Sequence, residues 1–238
     1  MRPRPGPSLS PRSGGLPGFR SRDIRVSLSN LGTVYNDLGR HEEGLAVLSE
    51  AARVCRELED PMYEGNALFN LAAAQRGLGR TEGALASVER ALGLARDNGL
   101  VAMEAAWLPE LGRVQRAMGK PADVLEPYQR SAVILRQLGD RNQEAVALNG
   151  TGEVYRELGR ADEAAKFHRV AAKAHREAGD RWNLAVALDG LASALLDAEE
   201  SEEALRHWAE AATALAEFDD PIATRMRDRI RGHLEEGR

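Results

Sequence analysis

Three arginines, Arg76, Arg116 and Arg156, recur at intervals of 40 residues. A guanidinium fork can hold a carboxylate through two parallel hydrogen bonds. If copies of one element place the three on a common face, they form a ladder able to read the carboxylates of an extended acidic peptide. Arg113, Asn30, Asn36 and Asn70 fall on outward positions of the same elements, and an asparagine amide can bond both groups of a peptide backbone. The competing arrangement pairs these arginines with Glu110, Glu153 or Glu157 on a solvated face. The peptide-contacting set is therefore Asn30, Asn36, Asn70, Arg76, Arg113, Arg116 and Arg156.

Other reactive residue types are less suggestive. The chain has five histidines and one cysteine. His168 and His175 sit seven residues apart, about 10 Å along a helix, and are expected to be buried and satisfied by a hydrogen bond. Stepped by the same interval, they align with Tyr128 and Trp208 and with Leu135 and Leu215, respectively. His207 is expected to be exposed. Cys55 aligns with Ala95 and Leu135, a core position rather than that of a nucleophile. The acidic run Glu199, Glu200, Glu202, Glu203 suits a helix start, where negative charge complements the dipole. No Ser-His-Asp or Cys-His arrangement, phosphate-binding loop or helix-turn-helix pattern accompanies them. A non-catalytic protein without cofactor or metal is expected.

The elements that must position these residues repeat. From Gly159, steps of 40 reach Gly39, Gly79, Gly119 and Glu199; from Leu148 they reach Leu28, Leu68, Leu108 and Leu188. A period held over five copies marks a stacked repeat array. Apolar residues at helical spacing (Leu28, Leu31, Tyr35; Leu188, Leu191, Leu195) give the first helix of each copy a buried stripe. First helices are expected over roughly 24–38, 64–78, 103–118, 143–158 and 183–198, and second helices over 41–58, 81–98, 121–138, 161–178 and 201–218. Small residues at Gly32, Ala72, Gly112, Gly152 and Ala192 predict close helix approach, since a glycine inside a helix costs about 1 kcal/mol without such a reason. Gly39, Gly79, Gly119 and Gly159 suit helix C-termini. Arg40, Arg80, Lys120 and Arg160 follow them, placed to meet the terminal carbonyls. Asp60, Asp140, Asp180 and Asp220 are candidate N-caps, with Pro61 and Pro221 at first helical positions.

Composition agrees with this plan. Net charge is −5; residues 1–23 carry five Arg and one Asp, or +4, which leaves −9 for the rest. An acidic body argues against nucleic-acid binding by the array. No apolar run approaches the ~20 residues of a membrane span, and no secretory signal is expected. A lone cysteine suits a reducing cytoplasm. Residues 1–22, rich in Pro, Gly, Ser and Arg, are expected to be disordered, as a linker or an upstream translated stretch, with a basic nucleic-acid-touching arm as the lesser alternative. Five repeats follow (23–60, 61–100, 101–140, 141–180, 181–220), and 221–238 form a capping helix and tail.

Over about 24–220 the copies resemble tetratricopeptide repeats of a longer, 40-residue kind. Repeat four matches the family pattern with Leu148, Gly152, Tyr155, Ala164, His168 and Ala171, with Thr151 in place of the second leucine. Repeat one matches with Leu28, Leu31, Gly32, Tyr35 and Ala51, with Gly44 and Leu48 as departures. The resemblance implies an all-α, right-handed α-α superhelix of about five helical hairpins plus the cap. It also implies a concave groove, lined by the first helices, that binds a peptide or partner protein. The wording of the copies is similar to C-terminal repeat arrays of bacterial multidomain regulators, which implies a second role as a sensor that switches an attached or associated domain. Self-association is a third reading.

Overall fold

Most first helices start on a side-chain cap. The Asp60, Asp140 and Asp180 carboxylates accept from the backbone N–H of Tyr63, Gln143 and Asn183, and Asp220 accepts from Ile222 and Ala223. Such caps satisfy donors that the first helical turn leaves without partners. The computed structural model describes residues 17–119 and 123–236, with backbone alone for 17–22. In chain order the helices are α1 (Pro17–Asp37), α2 (His41–Glu57), α3 (Pro61–Gly77), α4 (Thr81–Asp97), α5 (Val101–Ala117), α6 (Leu125–Leu138), α7 (Arg141–Glu157), α8 (Ala161–Ala178), α9 (Arg181–Asp197), α10 (Ser201–Ala214) and α11 (Pro221–Glu236). A 3₁₀ turn, Leu215–Glu217, continues α10.

The boundaries depart from the expected ones for identifiable reasons. The helices α3, α7 and α9 start at the residue after the capping aspartate, two to three residues ahead of the expected 64, 143 and 183. Helix α1 begins at Pro17, so the expected disordered segment includes a helical stretch, and its residues 1–16 lie outside the described residues. Lys120 to Ala122 also lie outside them. Among the described residues, the basic side chains after the turn glycines do not reach the helix carbonyls. Arg40 and Arg160 instead bond Glu43 and Glu163 and lie over the Tyr35 and Tyr155 rings, at 4.7 and 4.6 Å from the centroids. Arg80 bonds Glu42. In the turn it is the Arg40 backbone N–H that caps, donating to the Tyr35 carbonyl at 2.8 Å. That 6→1 bond needs a left-handed residue before it. Gly159 supplies one at φ 72°; Glu199 takes the same conformation at φ 65° with a side chain attached.

Packing follows the small-residue register. Each second helix inserts one large side chain against the small residue of the first. A Cβ added at Gly32 would come within 2.3 Å of Leu48, and one at Gly112 within 2.6 Å of the Tyr128 ring. Beside these contacts lie Ala51, Ala91, Ala171 and Ala211, all fully buried. Leu31, expected in the buried stripe, is 42% exposed, because no described helix covers that side of α1. Across repeats, α1, α3, α5 and α7 each pack directly on the next odd-numbered helix. The odd-numbered helices therefore form the more closely spaced layer, which is the concave side of the superhelix. Helix α11 closes the array against α10, burying Ala223 and Ile230 and stacking His233 on Trp208 at 4.2 Å.

Candidate functional site

The ladder arginines lie on the inner-layer helices α3, α5 and α7, and each reaches to the next inner helix. Arg76 Nε donates to Glu110 Oε1 at 2.8 Å, and Arg113 Nε donates to Glu110 Oε2 at 2.6 Å. Glu110 is only 1% exposed, so this carboxylate is a structural hub between two guanidinium groups. Arg116 contacts Glu153 and Glu157, both at 3.2 Å. Arg156 Nε donates to Asp197 at 2.6 Å. Arg76 and Arg116 thus meet the expected acidic partners one repeat further along and Arg113 meets Glu110 on its own helix, whereas Arg156 takes Asp197, which is not one of the expected partners. Arg116, split between two carboxylates at longer distances, is the least committed of the four.

The asparagines divide. Asn30 is exposed on α1. Asn36 Nδ2 donates to the Asn70 carbonyl oxygen at 2.9 Å, tying α1 to α3, while its buried Oδ1 has no partner among the described residues. Gly44 makes room for that amide, since a Cβ there would lie 2.7 Å from Oδ1. Asn70 Nδ2 bonds the Asn66 carbonyl of its own helix at 3.0 Å.

The inner face holds a cavity of about 400 Å³, lined by Arg116, Arg156 and Trp182 together with Asp189, Met226 and Arg229. Four of these wall residues, Trp182, Asp189, Met226 and Arg229, escaped sequence reasoning. Asp189 accepts from Trp208 Nε1 at 3.0 Å and pairs with Arg229 on α11. Arg229 lies beyond the repeat, where register gives no guidance, and it joins the groove only because the cap folds back. Next to this cavity a second one, about 740 Å³, lies between Asn36–Gly39 of the first hairpin and Trp182, Phe218 and Ile222. Curvature therefore brings the first and last parts of the array to one cleft.

His168 also lines the 400 Å³ cavity, from α8, although it is fully buried. Its Nδ1 lies 2.7 Å from Asn149 Oδ1, but Nε2 has no partner among the described residues. The expectation of a satisfied core histidine is thus half right. Burial, with a smaller contribution from Arg156, pushes its pKa down to about 4, so the ring is neutral at pH 7. His175 fits the expectation: Nδ1 lies 2.8 Å from Asn142 Oδ1, and burial lowers its pKa. His207 is half-buried, between Glu203 and Glu210, rather than exposed. Cys55 is fully buried, and burial raises its thiol pKa, the reverse of what a reactive thiolate needs. Among the described residues no group of three metal-ligating side chains converges, and no helix is long and apolar enough to cross a membrane.

Solved structures share this geometry at low sequence identity. BtubC (BKLC) from P. vanneervenii superposes with a TM-score of 0.69 at 20% identity, over 91% of this chain and 84% of that one. A Rap protein, solved in complex with competence and sporulation factor, gives 0.67 at 17% identity over 92% of this chain and 66% of that one. A signal transduction ATPase with numerous domains, from Pyrococcus horikoshii and carrying a tetratricopeptide repeat sensor, gives 0.65 at 16% identity. The match covers 92% of this chain and only 36% of that one. No curated protein sequence matches the chain. The tetratricopeptide repeat profile matches residues 23–97 and 103–177, the stretches in which α1 to α8 pair into hairpins. By that match and by its hairpin geometry, the chain belongs to the tetratricopeptide repeat family.

Proposed function

We propose that this protein is a non-catalytic recognition module that binds an extended peptide, or a partner segment bearing an acidic residue, in its concave groove. The observation that carries this reading is the 400 Å³ cavity on the inner layer, where Arg116, Arg156 and Arg229 surround apolar surface from Trp182 and Met226. Ligand sites combine such apolar walls with a few convergent polar groups, and Arg and Trp are the residues that most often anchor interfaces. A preformed groove binds without ordering itself first. Arg116 is the first residue to test, because an incoming carboxylate can replace Glu153 or Glu157 there without leaving a buried charge unpaired. A cytoplasmic setting accords with the single buried Cys55.

The test is capture of peptides from a randomised library by the wild type, followed by affinity measurement with Arg76→Ala, Arg116→Ala and Arg156→Ala. Loss of one charge-assisted contact predicts a fall of about tenfold or more for Arg116→Ala. Unchanged affinity in all three variants removes the arginine ladder from the account.

A second reading is favoured by the cleft that residues of the first and fifth repeats share. In a sensor array, a ligand that alters superhelical pitch would open or close that cleft and so signal to an attached or associated domain. Similarity to the repeat sensor of the signal transduction ATPase supports it at the level of fold. Trp182 fluorescence, followed as captured peptide is added, tests it; a spectrum unmoved at saturation counts against a pitch change.

A further inference from the structure

One position in each second helix holds a buried side chain that recurs with the period. In order along the array the residues are Leu48, Val88, Tyr128, His168 and Trp208. The first two are aliphatic, whereas the last three are rings that carry a polar atom. Tyr128 passes between Gly112 and Gly150, and His168 between Gly152 and Gly190: Cβ atoms added at these glycines would meet the rings at 2.6, 2.3, 2.8 and 2.5 Å. Trp208 shows where such a polar tip arrives, because its Nε1–H bonds Asp189, a wall residue of the groove cavity. His168 lines the same cavity, and its buried Nε2 has no partner among the described residues.

We propose that His168 Nε2 is a hydrogen-bond acceptor in the floor of the groove, taking an N–H of the bound peptide. This rests on the peptide-groove reading above. The direction of the bond follows from the other nitrogen. Nδ1 faces Asn149 Oδ1 at 2.7 Å, and a carbonyl oxygen can only accept, so the single proton of the neutral ring sits on Nδ1 and Nε2 carries the lone pair. Asn149 is therefore a positioning residue: it fixes the tautomer and holds the ring on edge between the two glycines. Simple space-filling does not account for the choice. Leucine, valine, tyrosine and tryptophan all serve at this position elsewhere in the array, and none of them buries a ring nitrogen without a partner, which is unfavourable unless a ligand supplies the bond. The polar tips are confined to repeats three to five, so specific reading of the ligand is confined to the C-terminal half of the groove.

The experiment takes the full chain, with His168→Phe as the main variant, since Phe keeps the ring and removes both nitrogens. The probe is the set of peptides that the wild type recovers from a randomised dodecapeptide library. Expected results are an unchanged circular dichroism spectrum and an affinity lower by about tenfold, the equivalent of one hydrogen bond. On the wild type, nitrogen-15 resonances of the imidazole should report an Nδ1–H tautomer, and the Nε2 resonance should move on saturation with a recovered peptide. This second measurement stands even if the variant fails to fold. A protonated Nε2 in the free protein, or an Nε2 resonance indifferent to peptide, overturns the proposal. Recovered peptides that bind His168→Phe as well as wild type remove this subsite and leave the groove reading standing. A library that yields no binder removes both.

Discussion

His168 is a neutral base buried in the array, and this has a consequence for stability that can be measured without knowing the ligand. Its folded pKa, about 4, lies below the ordinary 6.5. Above pH 6.5 the ring is neutral in both folded and unfolded chains, and the contribution is fully present. As pH falls, the unfolded chain takes up a proton that the folded one refuses, so stability is lost between pH 6.5 and about 4 and then levels off. The total is on the order of 3 kcal/mol. His175, whose pKa is also lowered by burial, acts in the same direction. Denaturant unfolding of wild type and His168→Phe across this window should therefore show wild type losing stability relative to the variant as pH falls; a constant difference would place the folded pKa near its ordinary value. Sequence register made the burial of His168 legible, through its alignment with Tyr128 and Trp208. It could not reveal that one nitrogen is left over, because that depends on where Asn149 and the two flanking glycines stand in space. A second residue-scale prediction concerns Glu199, at φ 65° where the equivalent positions hold glycine. Left-handed backbone costs a side-chain-bearing residue roughly 1–2 kcal/mol, offset in part by the extra freedom glycine has when unfolded. Glu199→Gly should stabilise the array by about 0.5–1 kcal/mol, read as a raised melting temperature.

At the scale of elements, neighbouring hairpins are joined by a clamp that recurs with the period. Glu64 at the start of α3 receives Arg56 from the preceding helix at 2.9 Å and Arg90 from the following one at 3.0 Å. Glu104 receives Arg96 and Arg130 at 2.6 and 2.8 Å. Both carboxylates are largely buried, and a buried charge is tolerable when paired and hydrogen-bonded in this way. Glu144 has Arg136 at 2.7 Å, but Val170 occupies the register of Arg90 and Arg130 and is 54% exposed. A cavity of about 360 Å³ lies there, lined by Glu144, Leu148 and Val170. That explains why Leu148, expected in the core, is only partly covered. In the fifth repeat Leu184 replaces the glutamate and Arg176 turns to Glu210 at 2.6 Å. Val170→Arg should restore the second arm of the clamp and raise stability by under about 1 kcal/mol, the usual worth of a half-exposed pair. With roughly 2–4 °C per kcal/mol for a chain of this size, a calorimetric shift of a degree or two is expected, and it should vanish in Glu144→Gln. All of these residues were visible in the sequence at 40-residue spacing. Their pairing was not, because it joins the end of one repeat to the first turn of the next, and that turn to the second helix of its own repeat.

The molecule as a whole shows what a repeat period can and cannot disclose. Helix count, inner and outer layers and most core positions follow from the spacing of Leu, Ala and Gly residues, since each hairpin contacts only its neighbours. Curvature sums small rotations between units, so the cleft shared by Asn36–Gly39 and Trp182–Ile222 has no signature in any single copy. The groove likewise depends on the cap. Helix α11 is the cap expected from the sequence, yet it also supplies Met226 and Arg229 to the inner cavity and covers Trp208 with His233. It therefore has two separable roles, sealing the last hairpin and completing the binding surface. Removing residues 221–238 should expose Trp208, now 1% exposed, together with its neighbours Leu215 and Ala211, and a newly uncovered apolar end seeks a partner. Light scattering should then show concentration-dependent association and calorimetry a lower melting temperature. Arg229→Ala in the full chain separates the roles: it breaks the pair with Asp189 but leaves Ile230 and His233 in place. That variant should stay as monodisperse as wild type while losing affinity for the library-derived peptides. If it associates as the truncated chain does, the pair with Asp189 is part of the seal; if it binds peptide unchanged, α11 is a lid and nothing more.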